Sequence, residues 1–259
     1  MAFGEINVNS FYRLIEVAAV ALALCALPAP HAVSRAAATP ASADDILARS
    51  RALYAGLNSY ADTGVVLDEY GTGTRERHSF TTYFSRAPRG FYFDFKRESG
   101  DRFLIWGDPQ AFHSWWRATG VKDDYPNPNN IGAFSTAGPH TVGSALKIPT
   151  LLYSKAPFQG AFTNYTDAVQ DGTEEIGGHR CYRLVGTAKD VYGATGHESN
   201  LRKMTVWIDA ESFLIRQVVE VPKEILPGHI DKTTTTFEPQ ANPALDESRF
   251  KFTPPAGEK

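Results

Sequence analysis

The spacing of hydrophobic positions changes three times along the chain. Residues 17–27 form an unbroken apolar run. Ile46, Leu47, Ala52 and Leu53 then fall on helical steps behind Asp44-Asp45, whose charges suit the positive end of a helix dipole. Gly56 or Asn58 can end that helix. From Ser79 onward the period becomes two. Phe80, Thr82 and Phe84 oppose Ser79, Thr81 and Tyr83, and Phe91, Phe93 and Phe95 oppose Tyr92, Asp94 and Lys96.

The same alternation predicts strands over 102–106, 111–117, 179–187, 203–209, 213–221 and 232–238. Gly, Asp, Asn and Pro punctuate these at short intervals, as antiparallel meander connections do. Met204, Val206 and Ile208 alternate with the equally large Trp207, so the second face of the sheet is expected to meet helices or to enclose something apolar. Between the strand groups, 118–139 reads as a loop rich in Asn, Gly and Pro. Residues 141–153 place Val142, Leu146, Leu151 and Leu152 in a weak helical pattern broken by Pro149. That segment is either a short core helix plugging the sheet or a movable lid over an apolar cavity.

The run 17–27 follows Arg13 and Glu16 and closes at Pro28 and Pro30. It is shorter than the roughly 20 apolar residues of a membrane span, and the order of positive residue, apolar core and small residues is that of a secretory signal. Ala41-Ser42-Ala43 fits the small-x-small cleavage rule, with Ala36-Ala37-Ala38 and a cut after Ala32 as competitors. A retained anchor and lipidation at Cys25, which follows the bulky Leu24, are the alternatives. The expected organisation is therefore a signal at 1–43 and a single domain at 44–259, with no linker dividing it.

Composition narrows the function classes. The 259 residues are 42% hydrophobic, with 16 Phe, 11 Tyr and 4 Trp, enough rings to line a large core or cavity. The formal net charge is −3, and removing 1–43 takes two arginines and two glutamates together, so no strong field favours nucleic acid. Cys181 is the one cysteine beyond Cys25, which excludes an internal disulfide in the exported chain. Its strand-like setting reads as a buried small hydrophobe rather than a nucleophile.

The common hydrolase, zinc-protease and phosphate-loop motifs are missing from the sequence. His78, His113, His140, His179, His197 and His229 show no paired ligand spacing, and His197-Glu198, Asp123-Asp124 and Glu174-Glu175 read as loop, turn or surface charge. Neither a metal nor an organic cofactor is expected.

The C-terminal third carries a recognisable order. Residues 206–216 (Val-Trp-Ile-Asp-Ala-Glu-Ser-Phe-Leu-Ile-Arg) read as strand, tight turn, strand. Thr233-Thr234-Thr235-Thr236-Phe237, Asn242-Pro243 and Phe250-Lys251-Phe252-Thr253-Pro254-Pro255-Ala256-Gly257 follow. Together with the initial helix and the strands from Tyr83-Phe84 to Phe95, this order resembles the bacterial periplasmic lipoprotein-carrier superfamily. That group comprises LolA-like outer-membrane lipoprotein-sorting proteins and lipoprotein-sensing anti-sigma regulators. The loop 118–139 is longer than a minimal carrier needs.

The resemblance implies a mainly β fold with helices: an incomplete antiparallel β-barrel covered by a short helical lid, with acyl chains as guest. The expected cavity lining is Phe80, Phe84, Phe91, Phe93, Phe95, Trp106, Trp207 and Ile208, with Leu146, Leu151 and Leu152 as lid. The implied role is a periplasmic, non-catalytic carrier for acyl chains or lipidated proteins, touching membranes transiently. The alternatives are an envelope-stress sensor or interaction module gripping a protein partner, and then an enzyme.

Overall fold

The computed structural model describes residues 41–126, 134, 137, 141, 144–153, 165–189, 201–224 and 227–255. All fall within one compact unit, Ala41–Lys259. The apolar run 17–27, most of 127–139, His140, Val142 and His197-Glu198 lie outside the described residues.

The first element is helix α1 (Ala43–Gly56). Ser42 is its N-cap: Ser42 Oγ accepts from the Asp45 N–H at 3.1 Å, and Asp44 and Asp45 occupy the first turn. The buried face is Ile46, Leu47, Ser50 and Tyr54, whereas Ala52 is exposed and Leu53 only partly buried. The helical stripe thus continues through Tyr54 rather than Ala52. Its tyrosine hydroxyl accepts from the Ile215 N–H, which ties the helix to the sheet.

Among the described residues, eleven strands then make two antiparallel meanders. The first is β1 (Ser59–Tyr70), β2 (Arg75–Arg86), β3 (Arg89–Lys96), β4 (Arg102–Gly107), β5 (Phe112–Trp116) and β6 (Val121–Tyr125). After helix α2 (Lys147–Leu152) comes the second: β7 (Tyr165–Ile176), β8 (His179–Lys189), β9 (Leu201–Asp209), β10 (Ile215–Pro222) and β11 (Ile230–Phe237). A two-residue β12 (Gln240–Ala241) pairs with β1. The order across the sheet is β6-β5-β4-β3-β2-β1-β11-β10-β9-β8-β7, so β1 and β11 join the meanders, with Val66 opposite Thr235. The sheet is open, with β6 and β7 as its edges. Among the described residues it is the incomplete antiparallel barrel expected from the sequence, accompanied by α1 and the short α2.

Three strands depart from the sequence reading. β1 and β7 were not expected, and β6 lies inside the expected loop 118–139. Asp123-Asp124 and Glu174-Glu175 are exposed on the two edge strands. Such charges, together with the register shifts between Thr166 and Val169 and between Gln170 and Thr173 of β7, discourage edge-to-edge pairing.

One large apolar cluster joins α1, α2, Phe91 and Phe112 of the first meander, and Leu184 and Ala188 of the second. The cluster runs across one face of the sheet from β5 to β8, which is its inner face. A smaller cluster, Leu104, Trp106 and Trp115 with Tyr92 and Phe252, lies on the outer face. The C-terminal segment covers it. A Cβ on Gly90 would stand 2.6 Å from the Phe250 ring, so glycine lets that ring rest on the β3 backbone. Phe252 meets Trp106 edge-on at 5.2 Å between ring centres. The Phe-x-Phe motif is therefore an outer strap.

The motif at 206–216 has an equally local cause. Asp209 Oδ1 accepts from the N–H groups of Glu211 and Ser212, closing the β9–β10 turn. Its other oxygen accepts from Arg216 at 3.1 Å. Burial pushes the Asp209 carboxyl up, but those N–H donors and Arg216 outweigh it and hold the group below its ordinary range. Among the described residues no helix is long and apolar enough to cross a membrane.

Candidate functional site

The inner face is built row by row from strand register. Phe80 of β2 lies opposite Phe95 of β3, which lies opposite Phe103 of β4. The next rows are Thr82, Phe93 and Ile105, then Phe84, Phe91 and Gly107, with Phe112 of β5 beside the glycine. Missing a side chain, Gly107 leaves the space that the Phe112 ring occupies: an added Cβ would stand 2.7 Å from it. Phe91 and Phe112 meet edge-on at 5.8 Å. This is a continuous aromatic wall, and all of its rings are buried.

A roof lies over that wall. Phe134 approaches Phe91 at 5.0 Å, and Tyr153 meets Phe84 at 5.3 Å. Ile148, Leu151 and Leu152 of α2 join the same cluster. Burial pushes the Tyr153 phenol well above its ordinary range, so it stays neutral beneath the roof.

Among the described residues, polar contacts fasten the roof at two ends. At one end Arg86, the last residue of β2, donates to the carbonyls of Leu57 at 2.6 Å, Ala55 at 2.8 Å and Leu152 at 3.0 Å. One guanidinium thus holds the end of α1 and the end of α2 together. At the other end the Ser144 N–H donates to Thr235 Oγ1 at 3.0 Å, and Ser144 Oγ donates to Glu220 at 2.8 Å. Lys147, the first residue of α2, pairs with the same buried carboxylate at 3.1 Å. Burial raises the Glu220 carboxyl, but Lys147, Ser144 and Arg202 outweigh it and lower it below its ordinary value.

Polar residues also line the inner end of β1, β10 and β11. Glu220 lies opposite Thr233, and Thr233 opposite Asp68. The wing beyond them is aliphatic: Met204, Val206 and Ile208 on β9 and Val218 on β10.

The sequence-predicted residues divide accordingly. Phe80, Phe84, Phe91, Phe93, Phe95 and Ile208 come together in the inner cluster with Leu151 and Leu152, and Leu146 packs partly buried against it. Trp106 and Trp207 do not. Trp106 stacks on His113 in the outer group, and Trp207 donates its indole N–H to Glu174 at 2.9 Å. Both alternate with inner residues along their strands, so the pleat sends them outward.

Sequence reasoning missed Phe103, Ile105 and Phe112, although continuing the alternation into β4 and β5 would have found them. No local signal marks Arg86, Ser144 or Lys147. Cys181 is buried, and burial followed by the Asp209 charge pushes its thiol up to about 11, so it stays protonated and unreactive.

No family model and no curated protein matches the chain. Similar solved structures include the lipoprotein LppX of Mycobacterium tuberculosis, with 13% identity, a TM-score of 0.46 and coverage of 78% of this chain and 95% of that one. MucB, solved in complex with MucA, is 13% identical with a TM-score of 0.42; the match covers 83% of this chain and 60% of that one. A LolA superfamily protein from Nitrosomonas europaea is 10% identical with a TM-score of 0.35, covering 82% and 98%.

Proposed function

We propose that the chain is an exported, non-catalytic binding protein that shelters acyl chains, free or attached to a lipidated polypeptide, in the bacterial periplasm. The observation that carries this reading is the aromatic inner wall covered by Phe134, Tyr153 and the apolar side chains of α2. Alkyl chains leaving water gain about 0.8 kcal/mol per buried CH₂. A ligand that displaces Phe134, Tyr153 and α2 from the wall replaces one apolar covering by another, so the exchange costs little packing. Among the described residues, the fastenings that it must break include those of Arg86, Ser144 and Lys147. The resemblance of the C-terminal motifs supports the same role.

Export rests on the signal-like run 17–27. A cut after Ala43 would remove the Ser42 cap and the buried Ala43 from α1, whereas a cut after Ala38 or Ala32 spares both. Processing upstream of Ala41 is therefore the reading that keeps the domain intact.

The test is extraction and mass spectrometry of what co-purifies with the chain from a native periplasm. Stoichiometric acylated molecules support the carrier reading. A protein partner without lipid would favour the interaction module instead.

A further inference from the structure

Asp68 of β1 and His78 of β2 lie on the inner face, beside the fastening at Ser144: Val66, the cross-strand partner of His78, is opposite Thr235, and Asp68 is opposite Thr233. Their side chains are 0% and 2% exposed. Asp68 Oδ1 accepts from the Thr233 hydroxyl at 2.6 Å, and His78 Nδ1 accepts from the Glu98 N–H at 3.2 Å. The single proton of the neutral ring therefore sits on Nε2. Nε2 and Asp68 Oδ2 stand 3.3 Å apart, yet neither makes a hydrogen bond among the described residues. Buried polar atoms are nearly always paired. A donor and an acceptor left over side by side, next to the Phe95 ring at 5.7 Å from the imidazole, are placed for a polar group entering with an apolar chain.

We propose that Asp68 and His78 form a head-group subsite at the polar end of the aromatic wall, taking the hydroxyl of a neutral acyl ligand and rejecting a carboxylate. The proposal rests on the acyl-binding reading and names the ligand class. A hydroxyl matches both atoms, because its oxygen accepts from Nε2–H while its proton is donated to Oδ2. A fatty-acid carboxylate has no proton to give and brings like charge against Asp68. An ammonium can donate to Oδ2 but has no lone pair for Nε2–H.

The surrounding charges point the same way. Glu76, half exposed and 3.8 Å from Nε2, adds negative charge. Lys147 and Arg202 act on Glu220, while Arg97 is the cation that shares the surroundings of the Tyr70 hydroxyl with Asp68 and Glu76.

The test is calorimetric titration of the whole protein with monolauroylglycerol and with laurate, which share one acyl chain. The wild type should bind the glyceride at least tenfold more tightly, about 1.4 kcal/mol. Asp68→Asn retains an oxygen for Thr233 and removes the charge, so the two affinities should come within about threefold as laurate binding strengthens. His78→Ala, a second variant should the first not fold, should weaken the glyceride tenfold and leave laurate within about threefold. Equal binding of both probes by the wild type, or a preference that survives both substitutions, overturns the subsite and leaves the carrier reading standing. Binding of neither probe overturns the carrier reading and the subsite with it.

Discussion

The two wings of the inner face solve the same packing problem with different residues. Across β2 to β5 the wall is phenylalanine: Phe80, Phe84, Phe91, Phe93, Phe95 and Phe112 touch one another and the roof through ring faces and edges. Across β9 to β11 it is Met204, Val206 and Val218 beside Thr233, Thr235 and Glu220, and the roof is held there by directional bonds from Ser144 and Lys147. Phenylalanine surface makes no hydrogen-bonding demand on what lies against it, so it accepts a roof or an alkyl chain alike. Buried serine, threonine and glutamate accept only a partner that satisfies them. The aromatic face is suited to exchanging its covering, and the directional bonds of Arg86 at its rim and of Ser144 and Lys147 on the other wing fix where that covering returns.

The sharpest way to break this comparison is to remove one packing residue from each wing. Phe93→Ala, at a fully buried ring between Thr82 and Ile105, should cost about 3–5 kcal/mol in denaturant melts and weaken an acyl probe as well. Val218→Ala on the aliphatic wing should cost about 2 kcal/mol, two methyl-sized groups, while binding per folded molecule stays the same. Equal loss of affinity in both variants would erase the functional difference between the wings.

A smaller effect separates the fastening from the packing. Glu220 is held below its ordinary carboxyl value of 4.5 in the fold, so its contribution is complete above that pH and disappears as pH falls through the lower folded value. Replacing it by glutamine should flatten that part of the acid limb of stability and leave other acid-sensitive groups, such as Asp209, to act as before. Acid melts of both proteins from pH 7 to about 3 would read this. An unchanged acid limb would mean that the Lys147–Glu220 pair does not fasten α2.

How much of this was legible follows from what each strand buries. β3 alternates phenylalanine with polar or amphipathic residues because one face meets the cluster, and β9, buried on both faces, carries a run of branched and aromatic residues, so both strands were readable. β1 was not: its inner row, Tyr60, Asp62, Gly64, Val66 and Asp68, mixes polar with apolar, and Val65 and Leu67 on the outer row erase the contrast. Asp62 is buried against the Tyr60 hydroxyl and the Glu238 N–H, and burial raises its carboxyl well above the usual range, a setting that only the tertiary structure supplies. β7 and β6 are edges with mostly exposed positions, so no burial pattern was written into them.

The two tryptophans show the opposite failure. Their size suggested a cavity, but the period of two already placed Trp207 away from Ile208 and Trp106 away from Ile105. Applying the pleat strictly would have sent both to the outer face. The roof fastenings depend on contacts between residues 66 to 91 positions apart, as in Arg86 with Leu152 and Ser144 with Thr235, and no local pattern encodes them.

The central claim is that the aromatic wall takes an acyl chain beneath a displaceable roof. A titration with a fluorescent fatty acyl probe, run on the wild type and on Leu151→Asp beside a denaturant melt of each, tests it most directly. The account predicts saturable binding by the wild type and at least a tenfold loss in the variant, about 1.4 kcal/mol, with a much smaller shift in global unfolding. A wild type that binds no probe, or a variant that unfolds while its folded fraction binds as before, would contradict it.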